Sequence, residues 1–137
     1  MGHDVTARQY GTEPGDYQIV AGWYADHRPG EVFPEMVLPP HGVIASIDGA
    51  PAAALWVYLS YGIGVAHVHW GVGRPGASAM GLVAAFKAAM AWVEDVCRAN
   101  NCYLIFANCL PAAAAALPRL GFLEIQPQVF MTKSITA

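Results

Sequence analysis

The sequence predicts an α/β protein: a single domain with a mixed, mostly antiparallel central sheet flanked by helices. Three observations carry that prediction. Two apolar runs meet at Asp48-Gly49 in "GVIASIDGAPAAALWVYLSYG", an antiparallel hairpin signature, because both central residues of a type I′ turn need positive φ. A long amphipathic helical pattern runs from Ser78 to Asn100. Directly after it comes "CYLIFAN", a short apolar run of the kind a buried parallel strand presents.

Each element follows in order. "GTEPGDYQIVAGWYADHRPG" sets Ile19, Val20, Trp23 and Tyr24 at helical spacing, with Asp16 as N-cap after Pro14-Gly15. The breaker Arg28-Pro29-Gly30 ends it. "EVFPEMVLPPHG" holds Pro34, Pro39 and Pro40, so it is a loop with room for one helical turn. After the hairpin, a turn at Tyr61-Gly62-Ile63-Gly64 leads into "VAHVHWGV", making a meander of three antiparallel strands. In the long helix, Met80, Val83, Phe86, Met90, Val93 and Cys97 form the apolar stripe, opposite Lys87, Glu94 and Arg98. Asn100-Asn101 suits its C-terminal end. The crossover into "CYLIFAN" should be right-handed and parallel. "LPAAAAALPRLGF" reads as a short helix disrupted by Pro118, and "FLEIQPQVFMTKSIT" as a closing pair of strands. A strand edge there could pair two chains as a homodimer.

Composition narrows the function classes. The 137 residues, 55% hydrophobic and 12% charged, suit one domain, residues 1–137, with a substantial core. A net charge of −3 and scattered Arg8, Arg28, Arg74, Lys87, Arg98, Arg119 and Lys133 offer no basic field for nucleic acid. Cys97, Cys102 and Cys109 contain no CxxC pair and read as buried thiols of a reducing compartment. "MGHDVTARQYG" has an acidic residue and no apolar run, so no signal peptide is expected. The one long uncharged apolar tract, Val43 to Trp56, is interrupted by Asp48-Gly49, so no membrane span is expected. The expectation is a soluble cytoplasmic protein.

The stretch "VAHVHWGVGRPGASAMG", residues 65–81, carries the chemistry. A strand feeding a helix through a Gly-containing turn aims backbone N–H groups at one point, and the helix N-terminus adds partial positive charge there. Gly71, Gly73 and Gly76 remove Cβ atoms, and Arg74 adds a full charge. These are the parts of a pyrophosphate cradle. The plainer alternative is a bulge and a turn with a solvated arginine.

The element order, the final "LPRLGF" and this strand-to-helix turn resemble the GNAT superfamily of acyl-CoA-dependent N-acetyltransferases. More narrowly, "LPPHGVIASIDGAPAAALWVY" with "AHVHWGVGRPGAS" resembles a branch common among phage and prophage proteins. The likeness spans about residues 12–135. It implies the acyl-CoA N-acyltransferase fold, with acetyl-CoA as co-substrate and an amine of a small molecule or protein as acceptor. It also implies that Trp70, Gly71, Val72 and Gly73 run along the pantetheine arm. Arg74, Gly76, Ala77, Ser78, Ala79 and Gly81 would then surround the pyrophosphate. The family signature Q/R-x-x-G-x-G/A is met at Arg74 and Ala79, but Ala77 stands where the first glycine belongs. Asn108 matches the family's fifth-strand Asn with a shift, and would contact the coenzyme or substrate or cap the next helix.

Amine acetylation needs a base for the ammonium proton and an acid for the leaving thiolate. Where the branch has Glu before its strand-end Trp, this chain has His69, which titrates near neutrality and could serve as base. His67 shares its strand face. The alternative is two ordinary half-buried histidines, and His67-x-His69 lacks a third metal ligand at a recognisable spacing. The family's usual acid, a Tyr on the helix before "GF", is replaced by Leu117. Trp23, Tyr24, Phe33, Trp56, Tyr58 and Trp70 read mainly as core, though some of them could line an acceptor pocket. The loop from Arg28 to His41 occupies the family's acceptor-binding position, and Asp26, Glu31 and Glu35 would suit a cationic amine or simply be solvated. Three readings stay open: an N-acetyltransferase, a catalytically degenerate acyl-CoA-binding module, or a phage accessory protein that keeps only the fold.

Overall fold

One sheet organises the chain, its strands hydrogen-bonded in the order β1-β2-β3-β4-β5. The computed structural model describes residues 3–107, 117–123, 131, 133 and 135. These fall in two compact units, Met1–Ala107 and Asn108–Ala137. The first contains β1 (Val5–Gln9), α1 (Asp16–His27), β2 (His41–Ile47), β3 (Ala50–Ser60), β4 (Val65–Gly73), α2 (Ala79–Ala99) and β5 (Leu104–Ala107).

The three-strand antiparallel meander is β2-β3-β4, and β1 adds a fourth antiparallel strand at its edge. β1 pairs with β2 from Val5↔Ile47 to Gln9↔Val43. Its short run gave no alternating apolar signal, and β1 becomes a strand because the edge of β2 is there to pair with. The Asp48-Gly49 turn joins β2 to β3 as expected, with φ of 51° and 84°. β4 then pairs antiparallel with β3 and parallel with β5, from Val65↔Leu104 to Val68↔Ala107. The parallel crossover is the one the pattern implied.

Alternation along the strands separates two faces. Ile44, Ala54, Trp56 and Val72 form a buried cluster with Val20 and Trp23 of α1 and with Phe33. The intervening residues face α2: a Cβ on Gly71 would lie 3.4 Å from Leu55 and 3.7 Å from Phe86. The sheet is therefore flanked by the two helices. Within α2 the buried positions are Ala85, Ala89, Met90, Val93 and Cys97. Met80, assigned above to the apolar stripe, is instead 86% exposed. Small alanines take its place in the seam, where they allow close approach of helix to sheet. Cys97 and Cys102 are buried free thiols, and burial raises Cys97 above its ordinary pKa; Cys109 lies outside the described residues. Leu104 of β5 is exposed rather than buried.

Helix ends show local chemistry at work. α1 is capped by Gly15, not by Asp16, which is its first residue. Asp16 is almost fully buried and accepts from both guanidinium nitrogens of Arg8, at 2.7 and 2.8 Å, and from the Gly11 N–H at 2.8 Å. α2 ends in a Schellman arrangement: Asn101 has φ 60°, its N–H reaches Arg98 O at 3.3 Å, and Cys102 N–H reaches Cys97 O at 2.8 Å.

In the second unit, Leu117–Leu120 forms a 3-10 turn, closed by Phe122 N–H on Leu117 O at 3.2 Å. The remainder of the expected short helix and closing strand pair lies outside the described residues. Among the described residues, no helix is long and apolar enough to cross a membrane.

Candidate functional site

The site forms where β4 outruns β5. Pairing with β5 stops at Val68↔Ala107, whereas β4 continues beside β3 to Gly73. Beyond Val68, no described strand occupies that side of β4.

An extra residue sits in this stretch beyond Val68. β4 advances from His69 to Val72 while β3 moves from Trp56 to Ala54, so Trp70 and Gly71 together oppose Leu55 in a β-bulge. Trp70 takes φ 62°, the left-handed region that a bulky residue rarely adopts. Such strain costs roughly 1–3 kcal/mol and persists only when neighbours hold it. Here the indole Nε1–H donates to the Tyr58 hydroxyl at 2.7 Å, and that hydroxyl donates to the Val37 carbonyl at 2.6 Å. The Trp70 ring also meets Phe33 edge-on, centroids 6.2 Å apart.

His67 and His69 share the α1 face, opposite Tyr58 and Trp56 respectively. His67 lies against Phe106, ring centroids 5.3 Å apart, and His69 lies edge-on to Trp70 at 4.5 Å. Burial lowers the His69 pKa below the ordinary histidine value, so its imidazole is neutral near neutral pH. A neutral imidazole can accept a proton.

The strand then enters a tight turn. Ala77 N–H bonds Arg74 O at 3.2 Å, with Pro75 and Gly76 at the centre and Gly76 at φ 78°, the pattern of a type II turn. Ser78 caps α2: its Oγ accepts from Gly81 N–H at 3.0 Å. The N–H groups of Ala79 and Met80, in the first turn, bond no described acceptor. They carry the positive end of the α2 dipole. Gly73 lies under the Leu82 side chain, where an added Cβ would come 2.7 Å from Leu82 Cδ2 and push that methyl aside.

Arg74 is placed differently from the simplest cradle. Its N–H bonds Ala52 O at 2.8 Å and its guanidinium donates to Pro51 O at 3.0 Å, tying the turn to the β2–β3 hairpin. One guanidinium nitrogen is committed there, and a guanidinium offers five N–H donors in all.

Trp70, Gly71, Val72, Gly73, Arg74, Gly76, Ala77, Ser78, Ala79 and Gly81 thus lie on one continuous path from bulge to helix, with His69 at its start. Asn108 lies outside the described residues. Two roles were not visible in the sequence. Tyr58 holds the bulge, and His27 at the end of α1 places Nε2 2.8 Å from Gly73 O. Neither carries a local signal, because each partner comes from a distant strand or helix.

No protein-family model matches the chain, and no curated protein matches it in sequence. Solved structures do resemble it. An Agrobacterium tumefaciens str. C58 protein assigned as an acetyltransferase aligns with a TM-score of 0.71 and 15% identity, covering 93% of this chain and 99% of its own. Aminoglycoside N-acetyltransferase AAC(6')-Iy in complex with CoA aligns at 0.66 and 20% identity, covering 98% of each chain. A Trypanosoma brucei acetyltransferase aligns at 0.64 and 17% identity, covering 95% and 100%. The chain has the acyl-CoA N-acetyltransferase fold.

Proposed function

We infer that the chain is an acetyl-CoA-dependent N-acetyltransferase acting on an amine. The observation that carries this reading is the β4 bulge at Trp70. It lies on a stretch of strand that pairs with no described strand on one side and runs directly into a glycine turn and the α2 N–H groups of Ala79 and Met80, which bond no described acceptor. An extended amide chain ending in a pyrophosphate would meet backbone partners along the edge and positive dipole at the helix. The residues therefore fit the coenzyme: Trp70 to Gly73 would hold the pantetheine arm, and Gly76 to Gly81 the pyrophosphate. One of the similar structures holds CoA, and another a CoA bisubstrate analogue.

Acetyl-CoA supplies an activated acetyl thioester. In the transfer, the acyl carbon–sulfur bond breaks and a carbon–nitrogen bond forms. The amine proton goes to a base, and the sulfur leaves as thiolate and is then protonated. His69 is the base in this reading, because it is half-buried, neutral and on the part of β4 beyond its pairing with β5. Ala77 in place of a glycine is tolerated because the cradle uses backbone N–H groups rather than side chains.

A second reading, a coenzyme-binding module without turnover, is favoured by Leu117, which cannot supply the thiolate proton. The narrower likeness to phage and prophage proteins, a cytoplasmic location and pairing into a homodimer belong to the same proposal. Calorimetry with acetyl-CoA, and with CoA for comparison, tests it. Micromolar binding with CoA release on adding amines supports the enzyme; binding without release supports the module. No binding at millimolar ligand overturns both.

A further inference from the structure

A second feature lies on the other side of Tyr58. β3 runs past the start of β2, whose last pairing there is His41↔Val57. The gap is a cavity of about 310 Å³ lined by Pro39, Pro40, His41, Tyr58, Leu59 and Tyr61, with Val57 at its base. Among the described residues this lining is mainly apolar and holds no carboxylate. Glu31, an acidic residue of the preceding loop, is engaged elsewhere, at 3.6 Å from Arg28 and 3.1 Å from the Tyr24 hydroxyl.

Tyr58 belongs to both places. Its ring lines the cavity while its hydroxyl holds Trp70, and it stands opposite His67 across the strands. Direct cross-strand neighbours lie on the order of 5 Å apart. Tyr58 therefore stands between the cavity and His67, its direct cross-strand neighbour. Val37, whose carbonyl Tyr58 holds, and Met36 are exposed at 52% and 99%. They extend the apolar surface beside the opening.

We propose that this groove is the acceptor subsite and that the acceptor is a primary amine with an aromatic or alkyl body, not a polycationic amine. The proposal rests on the acetyltransferase reading and names its substrate class. An apolar body gains by leaving water. A polycation would be desolvated against described lining residues that hold no carboxylate.

The test compares 2-phenylethylamine, spermidine and kanamycin as acceptors, reading CoA thiol release, with acetyl-CoA affinity measured separately by calorimetry. Tyr61→Glu and Leu59→Asp place a carboxylate in the groove. The exposure of Tyr61, 73%, keeps its variant folded. The expected result is turnover of 2-phenylethylamine above the other two, with its KM raised about tenfold or more in both variants. Tyr61→Glu should lower KM for spermidine, and acetyl-CoA affinity should be unchanged. Preference for spermidine or kanamycin, or an unchanged KM in Tyr61→Glu, overturns the subsite and leaves the acetyltransferase reading standing. Failure to bind acetyl-CoA overturns that reading. The groove is then judged on calorimetric binding of 2-phenylethylamine alone: binding lost in Tyr61→Glu retains an apolar amine site, and no binding removes it.

Discussion

Asp16 and His69 show how much a single side chain's role depends on its surroundings. The Arg8 hydrogen bonds hold the Asp16 carboxyl below its ordinary pKa, and the Gly11 and Glu13 N–H groups act in the same direction against burial. A carboxylate with a lowered folded pKa contributes stability above its unfolded value and loses it as pH falls through the folded value. Asp16→Ala should cost roughly 3 kcal/mol at neutral pH, since it strands Arg8 beside a buried gap. The loss of stability on acidification below about pH 4 should be shallower in Asp16→Asn than in the parent; urea melts across pH measure both. At His69 the lowered pKa comes from burial, so the neutral base persists to lower pH than for an exposed histidine. In the acetyltransferase reading, kcat/KM should therefore fall only on the acid side of that depressed pKa. His69→Gln should lose most rate above it, and an unchanged pH–rate profile would remove His69 as base. The candidate base was legible in the sequence because it precedes Trp70. The Asp16 pair was not, because Arg8 belongs to a strand that only β2 reveals.

At the scale of elements, the strand–turn–helix from β4 to α2 couples packing to the site. Arg-Pro-Gly-Ala and Ser78 are local signals, and the turn and cap form where those residues stand. Ser78→Ala should cost about 1 kcal/mol and free the Gly81 N–H, a change that thermal unfolding resolves. Arg74 couples the turn to the hairpin through Pro51 O. In the coenzyme reading, Arg74→Glu should weaken acetyl-CoA affinity by about tenfold, more than Arg74→Ala, because it adds repulsion to the lost bond. Equal affinity in the two variants, by calorimetry with matched near-UV spectra, would assign Arg74 to the hairpin alone. The extra residue in β4 was not legible. "HWGVG" contains glycines, but which residue bulges is decided by the register of β3.

Across the whole molecule, the described chain divides at Ala107, and all four tryptophans fall before that point. A unit of the length of Asn108–Ala137 rarely folds alone, since segments below about 40 residues bury too little surface without staples. We therefore expect one cooperative transition, with tryptophan fluorescence and far-UV dichroism coinciding. A separate second step in dichroism would make the C-terminal unit independent.

What the sequence determined by itself is local: the Asp48-Gly49 hairpin, the length of α2, its Ser78 and Asn101 ends and the Arg74 to Ala77 turn. Each depends on φ preferences and hydrogen bonds within a few residues, which hold in any context. Tertiary structure alone decided β1, the Trp70 bulge, the Arg8–Asp16 pair and the Tyr58 link between loop and strand. These join residues distant in the chain, whose free energy appears only once folding has closed the loops between them and removed water from both partners.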